Sequence, residues 1–161
     1  MKKLLAVALV LCLLVPCAAM ADDPAIMLFA SQYNMYAEGI FGVPLLDLSA
    51  CTVGRDPVAG YKTLTFVDDD AVVSAFIDGF GRTVGGMVIQ PEARNSLDFL
   101  CRCAAMMYCV DGMKSANYSQ LFFVMNEARV KAQETPYTAD LATGSTITMM
   151  VHEGSFIFSI E

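Results

Sequence analysis

The residues with the most reactive chemistry in this chain are its cysteines and its single histidine. Cys51 stands alone, whereas Cys101, Cys103 and Cys109 crowd into the stretch Asn95–Val110, NSLDFLCRCAAMMYCV. Thiolates serve as nucleophiles, redox centres or soft-metal ligands, and each use has its own spacing. Cys101-Arg102-Cys103 is a C-x-C, and eleven methionines raise the question of Cu(I). On a helix, however, C-x-C splays its sulfurs, and the methionines are scattered along the chain. A thiol oxidoreductase would present C-x-x-C at a helix start, and that motif is absent. Cys–His catalysis needs a base within hydrogen-bond reach. His152 falls beside a predicted hairpin turn, where a solvent-exposed strand end is the simpler reading.

Other catalytic signatures are missing. There is no G-x-S-x-G, no H-E-x-x-H and no phosphate-cradling glycine loop. The run Asp68-Asp69-Asp70 lacks the ligand spacing and the turn glycine of a calcium loop, and it reads as a solvated turn. Neither a metal nor a cofactor is therefore expected.

The remaining use of the cysteines is set by compartment. The chain opens MKKLLAVALVLCLLVPCAAMADD. Lys2 and Lys3 precede an apolar run, Leu4 to Val15, that is short for a bilayer span. Ala19-Met20-Ala21 forms an A-x-A site ahead of Asp22. Residues 1–21 thus read as a secretory signal peptide of bacterial character, leaving 22–161 as one periplasmic or secreted domain. The alternative is a lipid anchor at Cys17, against which Pro16 counts, because a small residue belongs there. Losing Lys2 and Lys3 moves the formal charge from −7 to −9. A chain so acidic shows no basic stripe for nucleic acid and little attraction to anionic lipid.

Export favours disulfides, and the four of six cysteines that remain after cleavage allow three complete pairings. Within one continuous helix none can form: Cys101 and Cys103 point apart, and Cys101 and Cys109 lie roughly 12 Å apart along the axis. At most one bridge is expected, from Cys51 to Cys109 or, second, to Cys101. It would close a loop of roughly 50 residues, contributing about 3–4 kcal/mol.

The elements that hold these residues follow from periodicity. Asn95–Val110 is apolar almost all round, with Asp98 and Arg102 spaced to pair on a narrow exposed strip, so it reads as a helix buried between other elements. Asp23-Pro24 starts an amphipathic helix predicted over Pro24–Phe41, with Ile26, Phe29, Ala30 and Tyr33 on one face. Val43 to Gly60 reads as a long loop, for which Cys51 is the expected anchor. Tyr61–Val67, Ala71–Asp78 and Arg82–Gln90 read as strands, with Phe66 opposite Val73 and Leu64 opposite Ala75. A third helix runs to about Ala132. Ser145–His152 and Ser155–Ile160 flank Glu153-Gly154 as a hairpin, placing Val151, Met149, Ile147, Phe156, Phe158 and Ile160 on one face. Thr138–Ala142 is a further short candidate strand.

The expected fold is α+β: a mainly antiparallel sheet of about five strands, a central buried helix and two flanking helices, in the order α-βββ-αα-ββ. The expected function is an exported small binding or interaction domain without evident catalysis. Its partner would be a small apolar ligand or another envelope or secreted protein, held between helix and sheet or added at a sheet edge, with the terminal strand a candidate edge. Tyr33, Tyr36, Phe41 and Phe80 are the candidate binding aromatics. An enzyme using carboxylates or Cys/His not recognisable from sequence is the alternative, and a thiol redox or copper module the second.

Overall fold

The computed structural model describes residues 23–38, 46–56, 58–67, 71–91, 96–112, 118–132 and 135–161. The expected signal peptide, the alternative lipid-anchor position Cys17, Phe41 and the run Asp68–Asp70 lie outside the described residues.

Helix α1 spans Pro24–Tyr36. Its start is the expected one: the Asp23 side chain accepts from the Ala25 amide at 2.9 Å, and Pro24 occupies the first turn. The predicted end at Phe41 falls outside the described residues. After a short 3-10 turn at Leu48–Ala50 come four strands, β1 (Cys51–Arg55), β2 (Lys62–Val67), β3 (Val72–Ile77) and β4 (Thr83–Pro91). Helices α2 (Ser96–Asp111) and α3 (Tyr118–Lys131) follow, then β5 (Tyr137–Asp140), β6 (Thr146–His152) and β7 (Ser155–Ile160).

The class is α+β, but the sheet has seven strands in the order β1-β2-β3-β4-β7-β6-β5, every pair antiparallel. Two meanders meet where β4 lies beside β7, with the helical pair as the crossover between them. The two strands beyond the expected five are the edges. Cys51–Arg55 is strand rather than loop, because its five residues pair fully with β2. At the other edge, β5 begins at Tyr137 and is only four residues long. The terminal strand is not an edge: β7 is hydrogen-bonded between β4 and β6.

The hairpin registers are those the apolar pattern demands. Phe66 faces Val73 and Leu64 faces Ala75. Ile147, Met149 and Val151 face Ile160, Phe158 and Phe156. A slip of one residue would turn each apolar set to the wrong side.

Three contacts identify the side of the sheet that carries the helices. Phe29 of α1 packs on Phe66, with ring centroids 5.9 Å apart. Phe99 of α2 stacks on Phe156 at 5.3 Å. Met106 of α2 lies directly on Gly86 of β4, where a Cβ would come within 2.8 Å of its Cε. Helix α2 lies over β4 and β7, with α1 and α3 beside it. Every residue from Phe99 to Tyr108 is buried. This includes Arg102, only 1% exposed, so the narrow exposed strip expected from Asp98 and Arg102 does not exist. Between the sheet and two neighbouring helices, the middle of α2 has no free side to offer a long side chain.

The segment entering β1 is held by Asn34, where the expectation was an anchor at Cys51. The Asn34 carboxamide accepts from the Leu46 amide at 2.8 Å and donates to the Leu46 carbonyl at 3.3 Å. It pairs with that backbone much as a neighbouring strand would, and Leu46 is buried beneath it.

Candidate functional site

Strand alternation puts half of the sheet's side chains on the side away from the helices. Those positions share an unusual chemistry. The large apolar members are Val67, Val72, Phe76, Met87, Ile89, Met150 and Ile157. The polar ones are mostly hydroxyls, including Thr52, Thr63, Thr65, Ser74, Thr148 and Ser159. From β1 through β4 to β7 not one of them is charged; His152 lies at the end of β6 and Asp140 on the far edge strand. Solvated faces of antiparallel sheets ordinarily alternate to charged and polar residues. The helix side, by contrast, includes Arg55 and Lys62 at its margin.

The hydroxyls largely satisfy one another or the backbone. Thr65 and Ser74 are paired at 3.1 Å, Thr138 and Thr148 at 3.3 Å, and Thr52 donates to the Thr65 carbonyl at 3.3 Å. Such cross-strand pairs stabilise the sheet and leave a surface of low polarity. Thr63, Thr65, Ser74 and Met87 are buried, Val67 is exposed, and the other apolar members are half-buried.

The cysteines do not assemble into a reactive group. All four are free thiols, so the expected Cys51–Cys109 bridge is not formed. Cys51 opens edge strand β1, whereas α2 lies over β4 and β7. Three strand spacings, about 14 Å, separate β1 from β4, twice the Cα separation a disulfide tolerates. Burial pushes the Cys51 thiol up to about 11 and the Cys109 thiol up to about 12. Cys101 is raised by burial and by Asp98, and Cys103, fully enclosed, is raised well above its ordinary value. At neutral pH only about one Cys51 in ten thousand would be thiolate, and thiolate is the reactive form. His152 has its side chain 44% exposed and its Nε2 3.7 Å from Glu153. Among the described residues, no three His, Cys, Asp or Glu side chains are placed to hold a metal ion.

The aromatic candidates go to different places. Tyr33 is wholly buried near Phe29, with ring centroids 5.9 Å apart. Tyr36 stacks on Tyr108 of α2 at 4.9 Å, inside the packing between α1 and α2. Phe80 is 87% exposed at the tip of the β3–β4 turn, with the Arg82 guanidinium 5.3 Å from its ring centroid. Strand periodicity marks the positions of the helix-free face only as the complement of the apolar stripes. The signal that could have found them was the mixture of Met, Ile, Phe and hydroxyls where charges would be expected. No helix of the described residues is long and apolar enough to cross a membrane. Compared with family models, with curated proteins and with solved structures, the chain matches none.

Proposed function

We propose that this chain is an exported binding domain whose working surface is the helix-free face of the sheet, and that its ligand is apolar and uncharged. Export rests on Lys2 and Lys3, the apolar run after them and Ala19-Met20-Ala21. The observation that carries the ligand chemistry is the absence of charge across five neighbouring strands of an acidic protein, combined with seven large apolar side chains on the sheet. A charged ligand laid on such a face would lose its hydration and meet no counter-charge. An apolar one would lose unfavourable water contact, and contiguous apolar surface of this kind marks interaction sites. The raised thiols argue against nucleophilic or redox chemistry as the main activity.

A neutral naphthylamine dye, whose fluorescence rises in apolar surroundings, tests the reading. The wild-type protein is expected to bind it saturably. Val72→Asp and Ile157→Asp, each with native circular dichroism, are expected to weaken binding at least about tenfold, because a carboxylate would then have to be desolvated under the ligand. Leu28→Asp, on the outer side of α1, is the control and should change nothing. Equal dye affinity in all four proteins, or none in the wild type, would overturn the proposal.

A further inference from the structure

Two turns at one end of the sheet are built alike. Arg55 of β1 pairs with Lys62 of β2, and Lys62 with Ile77 of β3, so the β1–β2 and β3–β4 connections emerge together. In the first, the Asp56 carboxylate accepts from the Val58 and Ala59 amides, both at 2.7 Å, and the Asp56 carbonyl accepts from Gly60. In the second, the Asp78 carboxylate accepts from the Phe80 amide at 2.8 Å and the Arg82 amide at 3.0 Å, and the Asp78 carbonyl accepts from Gly81. Gly60 and Gly81 both have positive φ, which lets each turn close without strain. Among the described residues, each turn is braced by its aspartate and carries an exposed apolar side chain. Val58 is 94% exposed and Phe80 87%, the two most exposed large apolar side chains of the described residues.

Apolar side chains fixed outward in water are a standing cost, and a partner that receives them must suit their geometry. The two turns are centred about two strand spacings apart, roughly 10 Å. Two isolated tips rising from polar turns make no continuous patch on the scale of a protein interface, about 800 Å² per partner. A fluid interface requires no such patch, because each side chain partitions into it separately. The charges beside the tips suit it as well. Arg55 ends β1 at the base of the first turn, Arg82 is paired with the Asp78 carboxylate at 2.6 Å beside the Phe80 ring, and the aspartates, engaged by turn amides, remain ionised. The local charges nearly cancel, and the remainder of the chain is acidic, so a zwitterionic surface fits and a strongly anionic one does not.

We infer that this end of the sheet docks on a zwitterionic phospholipid surface, with Val58 and Phe80 entering the headgroup–acyl boundary. This stands apart from the reading of the helix-free face, and Phe80→Ser should leave dye binding there unchanged. The chain has no tryptophan, so Phe80→Trp supplies a single reporter at the tip. With phosphatidylcholine vesicles its emission should shift to shorter wavelength and be quenched by brominated acyl chains, whereas a Leu28→Trp reporter on α1 should not respond. In vesicle flotation, Phe80→Ser combined with Val58→Ser should lower the partition coefficient at least about tenfold, with little dependence on salt. Failure of the wild type to float, unchanged flotation of the double variant, or a tip reporter already shifted without vesicles, as self-association through the tips would give, would each overturn the inference.

Discussion

Gly86 provides the sharpest test of how the central helix sits on the sheet. In an open strand, replacing glycine by alanine removes a backbone-entropy penalty and stabilises by about 0.5–1 kcal/mol. The structure reverses that sign. A Cβ at position 86 would lie 2.8 Å from Met106 Cε and 2.9 Å from its Cγ, with Sδ nearer still, and Met106 is wholly buried. Overpacking of this kind costs about 1–3 kcal/mol; because the obstructing group is an adaptable thioether chain, the lower half of that range is expected. Met106→Ala alone should cost about 2–5 kcal/mol by leaving a cavity. In the double variant, the methyl added at position 86 enters the space that Met106 vacates, so the combined loss should fall short of the sum by at least about 1 kcal/mol. Urea unfolding followed by circular dichroism on the four proteins measures all three quantities. A stabilising Gly86→Ala, or a double variant additive to within about 0.5 kcal/mol, would show that α2 does not pack at this point.

Two further outcomes follow from the same coordinates. The hydrogen bond from Lys62 and the amides of the first helical turn hold the Asp23 carboxyl below its ordinary value, and the Lys62 Nζ lies 2.5 Å away. That contribution to stability is present above the ordinary carboxylate range and is lost as pH falls through the lowered value. Asp23→Ala should therefore cost about 0.5–2 kcal/mol at neutral pH, and the gap to wild type should close in acid; a gap independent of pH would contradict the pairing. For the cysteines the sign is opposite. Their protonated forms are favoured in the fold, so stability should hold below the unfolded thiol value and decline as pH rises towards about 11 and 12, the values for Cys51 and Cys109. Thiol titration in denaturant without reductant should find Cys51, Cys101, Cys103 and Cys109 all reactive, and the native protein at mildly alkaline pH should react slowly; a missing thiol would reveal a bridge.

Much of the fold could be read before any coordinates, for local reasons. Asp23-Pro24 carries its capping chemistry in adjacent residues. The terminal hairpin has one register that puts all six apolar residues on one side. Asn95–Val110 announces its burial by lacking a polar face. Edge strand β1 was not legible, because CTVGR is short, contains a glycine and alternates over only two apolar residues, Cys51 and Val53. It is a strand because β2 offers it hydrogen bonds.

What the amino-acid sequence determined alone was the identity of the elements and which side chains share a side, since those depend on helical and strand periods. Tertiary structure decided everything that depends on which elements become neighbours. It placed β7 in the middle of the sheet, kept Cys51 away from α2, enclosed Tyr33 and Arg102, and brought the Val58 and Phe80 turns to the same end. Which side of the sheet the three described helices pack on is also a property of packing, because burial is a relation between segments and no single stretch of chain encodes it.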